Sequence, residues 1–215
     1  MPTTLWLIRH GETEWNAAKR FQGHHDVALN EVGRGQARQL ARRLEQEHQE
    51  APFDALFSSD LSRAVETARA TAEVTGLALS MRPALRERDY GVLSALTPEE
   101  MAVQQPEAWA HWCARTPSYV LPGGESLIVF TERVVTGLRE VTRAHPGQKV
   151  AVVVHGGVLD CVYRAAMGLP LDAPRGHPIH NASINRVRVD DAGTFSVEAW
   201  GDVAHLATDG RGSLE

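Results

Sequence analysis

The chain has 215 residues, of which 43% are hydrophobic and 23% are charged, and its formal net charge at pH 7 is -5. This size and composition are typical of one soluble globular domain, and they argue against a membrane protein because no apolar segment approaches the length of a bilayer span. The negative charge argues against nucleic-acid binding, which needs a basic face, but it allows a small anionic ligand where positive side chains gather locally.

The first half of the chain predicts alternating strands and helices. Residues 5–8 form a short apolar run typical of a buried strand, and residues 12–26 predict a loop with a single helical turn. Asn30 is typical of an N-cap, and the helix expected up to His48 places on one face Val32, Ala37, Leu40, Ala41 and Leu44. The next elements expected are a strand over residues 53–59, a helix capped by Ser59 or Asp60 and ending at Thr75, and a strand over residues 77–81.

The second half begins with a less regular region. Residues 91–124, with helix starts at Thr97 and Pro106, predict a cap-like insertion packed over the sheet edge. A long helix is expected from Glu125 or Ser126 to Ala144. Residues 149–154 are apolar and mostly β-branched, which predicts a strand buried on both faces. A helix over residues 158–167 and a hairpin of residues 184–189 and 194–200 complete the pattern.

This order of elements predicts an α/β fold. Strands alternating with amphipathic helices form a three-layer α/β/α arrangement, with a mainly parallel sheet, an antiparallel edge strand and helices on both faces. Residues 1–208 are expected to form a single domain, and the polar, glycine-rich residues 209–215 are expected to be a disordered tail.

Polar residues follow three of the predicted strands. Arg9 and His10 end the first, Arg63 lies one turn into the helix after the second, and His155 follows the strand over residues 149–154. Parallel strands place their carboxyl ends at one edge of the sheet, so these side chains can converge. Two arginines and two histidines with so few acids cannot neutralise one another in a structural ion network. They predict a phosphate site instead, because arginine pairs well with phosphate and helix N-termini add backbone N–H donors.

A phosphate site that contains histidine can also perform chemistry. A neutral imidazole nitrogen can attack phosphorus in line and form a phosphohistidine, while neighbouring cations stabilise charge on the phosphoryl oxygens. The leaving oxygen then needs a proton from a nearby acid. Glu87 is the best candidate for that acid and Asp89 the second choice. The ordinary alternative for Glu87, a solvated surface charge or a partner of the flanking Arg86 and Arg88, is less favoured.

Four segments in this order resemble the histidine phosphatase superfamily, also called the phosphoglycerate mutase-like family. They are residues 7–13 with Asn16, residues 58–64 with Thr67 and Ala68, residues 85–87, and residues 155–157. Residues 123–126 and 181–184 also resemble segments that are typical of the family. A single segment such as Arg9-His10-Gly11 is a weak signal, whereas four at successive strand ends are a strong one.

The resemblance implies a role for each site residue. His10 would be the nucleophile, and Glu87 would protonate the leaving group and then activate water. The phosphoryl group would be held by Arg9, Arg63 and His155, and the residues around it or near the substrate would be Asn16, Arg20, Gln22, Gly23 and Gly156. The family needs no metal, and no other cofactor is expected.

The resemblance leaves the reaction open between a phosphomonoesterase and a phosphoglycerate mutase. Residues 87–91 are similar to the corresponding segment of bisphosphoglycerate-dependent mutases. Those mutases usually hold their carboxylated intermediate with lysine and paired arginines in the inserted region, where this chain has no lysine and only Arg115. An apolar wall of Trp109, Trp112 and Tyr119 is expected instead. A phosphomonoesterase acting on a small phosphorylated metabolite is therefore favoured, and a non-catalytic phosphate-binding module is the third hypothesis.

The remaining motifs favour ordinary structural roles. The histidines of residues 24–26 and 177–180 match no metal-ligand spacing well, so no metal site is expected. Cys113 and Cys161 are too few for a disulfide framework, and they predict a reducing, cytoplasmic location. No partner beyond the substrate is indicated, and a homodimer is one expectation for the oligomeric state.

Overall fold

One mixed sheet of six strands organises the chain. The computed structural model describes residues 1–206, so the predicted tail over residues 209–215 lies outside the described residues. The strand order is β3-β2-β4-β1-β5-β6. The strands are β1 (Thr3–Arg9), β2 (Ala55–Ser58), β3 (Leu79–Met81), β4 (Lys149–Val154), β5 (Ile184–Val189) and β6 (Phe195–Asp202).

The pairing of these strands confirms the predicted topology. The first four strands are parallel, with β4 between β1 and β2, and β5 pairs antiparallel with both β1 and β6. The helices are α1 (Glu14–Ala17), α2 (Glu31–Glu50), α3 (Ser62–Thr75), α4 (Pro98–Gln104), α5 (Pro106–Cys113), α6 (Leu127–Ala144) and α7 (Gly156–Met167). Within residues 1–206, none of these helices combines the length and apolar character needed to cross a bilayer.

Alternation along β1 explains why helices cover both faces of the sheet. Leu5 and Leu7 pack into the core formed with α6 and α7, whereas Trp6 and Ile8 pack into the core formed with α2 and α3. Successive strand residues point to opposite faces, so an unbroken apolar run is what a strand buried on both sides requires. The same reasoning confirms the prediction for β4, whose Val150–Val154 residues are all buried.

The helix termini follow the sequence at three N-caps and depart from it at three other termini, one of which is the end of α2 at Glu50 instead of His48. Asn30, Thr97 and Ser126 each cap a helix by accepting a backbone N–H, as predicted. The predicted cap of α3 is wrong, because the N-cap is Leu61, without a side-chain hydrogen bond. The Asp60 carboxylate pairs with Arg86 instead. Helix α7 also begins at Gly156, two residues before the predicted start.

Gly33 replaces Val32 on the buried face of α2. Val32 was expected in the core but is 55% exposed, while Gly33 is buried against the loop that follows β1. A Cβ on Gly33 would lie 2.0 Å from the carbonyl oxygen of Glu12, and one on Gly11 would lie 2.5 Å from that of Gly33. At Gly35 the nearest atom to such a Cβ is 3.9 Å away. The first turn of α2 is therefore packed backbone to backbone against the segment after His10.

Residues 91–124 form a small core of their own. It contains Leu93, Met101, Ala108 and Leu121, with Trp109, Trp112 and Tyr119 packed against it. The Trp109 and Trp112 rings stack with centroids 5.1 Å apart, and Trp112 also meets Phe21 at 4.9 Å. Of the three aromatic residues expected to form a wall, Trp112 alone lines the cavity described next.

Candidate functional site

A cavity of about 450 Å³ opens at the carboxyl ends of β1 and β4. Nine of the ten residues predicted for the site line it: Arg9, His10, Asn16, Arg20, Gln22, Gly23, Arg63, Glu87 and Gly156. The tenth, His155, is fully buried, and its ring centroid lies 5.2 Å from that of His10. The convergence predicted from three strand ends is therefore present, with His155 placed behind the lining.

His10 is held as a neutral imidazole. Its Nδ1 lies 2.7 Å from the carbonyl oxygen of Gly11, so a proton on Nδ1 is donated to that oxygen and Nε2 keeps its lone pair. Burial, followed by the charges of Arg63 and Arg9, holds the pKa of His10 well below its usual value. The ring is therefore unprotonated at neutral pH, as a nitrogen nucleophile must be.

Arg9 and Arg63 bring two buried cations to the cavity. Arg63 donates to the carbonyl oxygens of Gly23 (2.8 Å) and His25 (2.9 Å), and Arg9 donates to that of Ile179. In both arginines the buried Nε has no hydrogen-bond partner. Burial lowers the pKa of each to about 10, so both remain charged at neutral pH. Two orphaned guanidinium donors in one lining are the arrangement that an anion completes.

Backbone groups fix the Glu87 carboxylate. Its Oε1 accepts from the N–H of Arg88 at 2.8 Å, and its Oε2 accepts from the N–H of Gly157, in the first turn of α7, at 2.9 Å. A Cβ on Gly157 would lie 2.1 Å from Oε1, so only glycine allows this approach. Arg133 donates to the carbonyl oxygens of Ala84, Arg86 and Glu87, which holds the whole segment.

Asp89, the second-choice acid, does not line the cavity. Its Oδ1 accepts from the N–H of Gly91 at 3.0 Å, and its Oδ2 lies 3.6 Å from His24 Nδ1. It belongs to a separate depression on the surface, together with His24 and His25. Of the two candidate acids, Glu87 therefore lines the cavity and Asp89 does not.

The side chains predicted to contact the substrate differ in whether their polar groups already have partners within the protein. Asn16 uses its Oδ1 to accept from the Thr13 N–H at 3.1 Å, within a capping box. Gln22 is buried with Oε1 unpartnered. Arg20 forms an ion pair with Glu100 at 2.6 Å, and this pair ties α4 to the wall of the cavity. An approach of Arg20 to substrate would require that pair to open.

Several residues of the lining were not predicted. Arg175 and His180 come from the loop over residues 168–183, and Tyr90 follows Glu87 along the chain. Arg115 also lines the cavity, where it pairs with Asp160 of α7 at 2.6 Å. Irregular loops carry no periodic signal, and only the concentration of Arg, Gly, Pro and His in residues 174–180 pointed to a special segment.

The histidine-containing motifs make internal contacts. His24 Nε2 lies 2.9 Å from the Glu87 carbonyl oxygen, and Asp26 accepts from the N–H and hydroxyl of Ser62. The His177 ring stacks on Tyr163 at 3.9 Å. Across residues 1–206, no three His, Cys, Asp or Glu side chains are grouped so that they could hold a metal ion.

Acidification is expected to destabilise the ligand-free protein. His10 and His155 both have a pKa well below 6.5 when folded, chiefly through burial, so below that pH the unfolded chain binds more protons than the folded one. Each histidine then removes about 1.4 kcal/mol of unfolding free energy per pH unit, down to its folded pKa. Urea unfolding of the wild type and His155→Asn from about pH 7 to about pH 5 measures this. The variant should show the shallower slope, and equal slopes would contradict the assignment.

Comparisons with known proteins agree with this arrangement. A family model described as the histidine phosphatase superfamily, branch 1, matches residues 5–203. Phosphoglycerate mutase-like protein 4 of Arabidopsis thaliana is 38% identical over 95% of this chain and 87% of its own length. A metal-independent phosphoserine phosphatase of the same plant is 38% identical over 97% of this chain and 85% of its own. The solved structure of Bacillus stearothermophilus YhfR superposes with a TM-score of 0.83 and 32% identity, covering 95% of this chain and all of YhfR.

Proposed function

Since the chain belongs to the histidine phosphatase superfamily, we propose that it is a phosphomonoesterase that hydrolyses a small phosphorylated metabolite through a phosphohistidine at His10. The observation that carries this proposal is the pairing of a neutral, oriented imidazole with two buried arginines whose Nε donors lack partners. These groups bind and activate a phosphoryl group, and Glu87 lies in the same lining.

In the first step, His10 Nε2 attacks phosphorus while the bond from phosphorus to the ester oxygen breaks. Arg9 and Arg63 stabilise the charge on the phosphoryl oxygens, and the N-terminus of α7, which begins at Gly156, adds a favourable dipole. The leaving oxygen takes a proton from the carboxyl group of Glu87. The products are the free alcohol, a phosphohistidine and the Glu87 carboxylate.

In the second step, water attacks the phosphorus of the phosphohistidine. The Glu87 carboxylate accepts a proton from that water as the nitrogen–phosphorus bond breaks. Inorganic phosphate leaves, His10 is again neutral, and Glu87 is again protonated. The backbone N–H groups of Arg88 and Gly157 keep the carboxyl group in one place for both roles.

A phosphoglycerate mutase is the alternative, and the mutase-like relative favours it. The cap region argues against it. Arg115, the single arginine of residues 91–124, already donates to Asp160 and to the carbonyl oxygen of Leu171. It is therefore poorly available to hold a carboxylated intermediate while that intermediate reorients. A non-catalytic binding module is less well supported, because His10, Arg9, Arg63 and Glu87 all line one cavity.

A panel of phosphate esters, with a phosphoglycerate mutase assay alongside, tests the proposal. We expect release of inorganic phosphate from at least one ester, and no interconversion of phosphoglycerates above background when bisphosphoglycerate is added. Interconversion faster than hydrolysis would establish the mutase instead. Tight ester binding without turnover and without phosphate on His10 would establish the binding module.

We also propose a cytoplasmic location, supported by two cysteines that are both free thiols, Cys113 exposed and Cys161 buried. The expected homodimer stays a prediction, which the mass of the particle in solution would test.

A further inference from the structure

Arg175 is a cation without a counter-ion at the entrance of the cavity. It lies in the loop over residues 168–183 that connects α7 to β5, and it is exposed while lining the cavity. Within residues 1–206 its side chain makes no hydrogen bond and no ion pair. A guanidinium that lines a cavity and whose N–H groups make no hydrogen bonds within the protein is available to bind a ligand.

Apart from Arg9 and Arg63, the other arginines of the lining are already engaged. Arg20 pairs with Glu100, and Arg115 pairs with Asp160. Arg88 donates to the carbonyl oxygen of Glu125 at 2.8 Å. Arg175 is therefore distinguished from its neighbours by having no partner.

Arg175 is also close enough to act together with the phosphate site. Burial is the main cause of the lowered pKa of Arg9. The charge of Glu87 raises that pKa, and the charge of Arg175 lowers it. Tyr90, on the cavity wall beyond Glu87, is within reach of the same charge. A substrate held by Arg9 through its phosphoryl group would therefore have its remaining atoms within reach of Arg175.

The balance of charge indicates what those atoms should be. The chain carries a net charge of -5, yet four arginines of the lining have no carboxylate hydrogen-bonded to their guanidinium groups: Arg9, Arg63, Arg88 and Arg175. A phosphoryl dianion occupying the site of His10 would satisfy Arg9 and Arg63. Of the other two, Arg88 is already held by the Glu125 carbonyl oxygen, so Arg175 is the cation of this lining that remains available to the rest of the substrate.

We propose that Arg175 binds a second anionic group on the alcohol portion of the substrate, so that the preferred esters carry a negative charge besides the phosphate. This inference rests on the proposed phosphomonoesterase function. A carboxylate or a second phosphate would both suit the planar fork of a guanidinium. Because Arg175 is exposed, the contact discriminates by up to about fivefold in kcat/KM, and added salt weakens it.

The test compares substrates that differ in one charge. 3-Phosphoglycerate and glycerol 3-phosphate differ by a carboxylate in place of a hydroxymethyl group, and fructose 1,6-bisphosphate and fructose 6-phosphate differ by a second phosphate. The ratio of kcat/KM for the charged over the uncharged member is measured in the wild type, in Arg175→Gln and in Arg175→Lys. We expect Arg175→Gln to lower the ratio up to about fivefold in at least one pair, and lysine to restore part of it.

The control is Arg42→Gln, which removes an exposed arginine of α2 outside the cavity and should leave both ratios as in the wild type. The pair that responds identifies the carboxylate or the phosphate as the group recognised. Ratios in Arg175→Gln equal to those of the wild type in both pairs would overturn the inference while the proposed function stands. If the wild type hydrolyses none of these esters and no nitrophenyl phosphate, the proposed function fails and the inference fails with it.

Discussion

Replacing His10 by alanine is expected to abolish hydrolysis of an aryl phosphate, with a loss of about 10⁴-fold or more, as for other covalent nucleophiles. The imidazole is the group whose Nε2 would carry the phosphoryl group, and it lies in the same lining as Arg9 and Arg63. Phosphate binding should survive. Both arginines are anchored by backbone carbonyl oxygens, and none of those belongs to His10.

The measurement is the rate of nitrophenol release, together with binding of inorganic phosphate and detection of covalent phosphate on the protein. A matched control is His111→Ala, which removes a half-buried histidine of α5 that does not line the cavity. Full activity in the His10 variant would contradict the mechanism. Loss of both turnover and phosphate binding would show that the variant had lost the site itself.

The Glu87→Gln substitution is expected to slow release of an alkyl alcohol by about 10²- to 10⁴-fold, the usual contribution of a general acid. An amide of nearly the same shape keeps one oxygen for the N–H of Gly157 or Arg88, but it has no proton to give to the leaving oxygen. Nitrophenolate is a stable leaving group and needs that proton much less. The loss in the first step should therefore be far smaller for nitrophenyl phosphate than for an alkyl ester.

Single-turnover release of the alcohol isolates that step. With nitrophenyl phosphate, the Glu87→Gln enzyme should also accumulate phosphohistidine, because the attacking water lacks its base. The control is Asp89→Asn, whose carboxylate lies outside the cavity and should contribute little. Equal losses for alkyl and aryl esters, or an Asp89 variant as impaired as the Glu87 variant, would reject Glu87 as the acid.

The convergence of the site residues could be predicted from the sequence because it follows from the strand topology. Apolar runs specify strands, parallel strands share a carboxyl edge, and the residues after Ile8 and Val154 therefore had to meet. The one-residue error at Val32 has the opposite origin. Val32 and Gly33 are neighbours at the edge of the buried helix face, so helical spacing alone does not decide which of them is buried. The close approach of the Glu12 backbone makes Gly33 the buried residue.

Loop contacts explain what the sequence did not predict. The Arg115–Asp160 pair joins residues 45 positions apart, and Arg175 lies in a loop that has no periodic pattern. Asp60 could equally have capped α3, and its pairing with Arg86 was decided by a residue beyond β3. Tertiary contacts of this kind override a local preference such as helix capping, and they cannot be predicted from a local sequence pattern.

The close packing of Gly33 against the segment after β1 has a consequence for mutational tolerance. A helix interior ordinarily favours alanine over glycine by about 1 kcal/mol, so a propensity-based redesign would replace Gly33 and Gly35 alike. Gly35 has room for the added methyl group, but at Gly33 that group would collide with the Glu12 carbonyl and displace the turn that holds His10. A position that never meets substrate is thus as restricted as the reactive centre, and a screen for variants that keep activity would find both equally invariant.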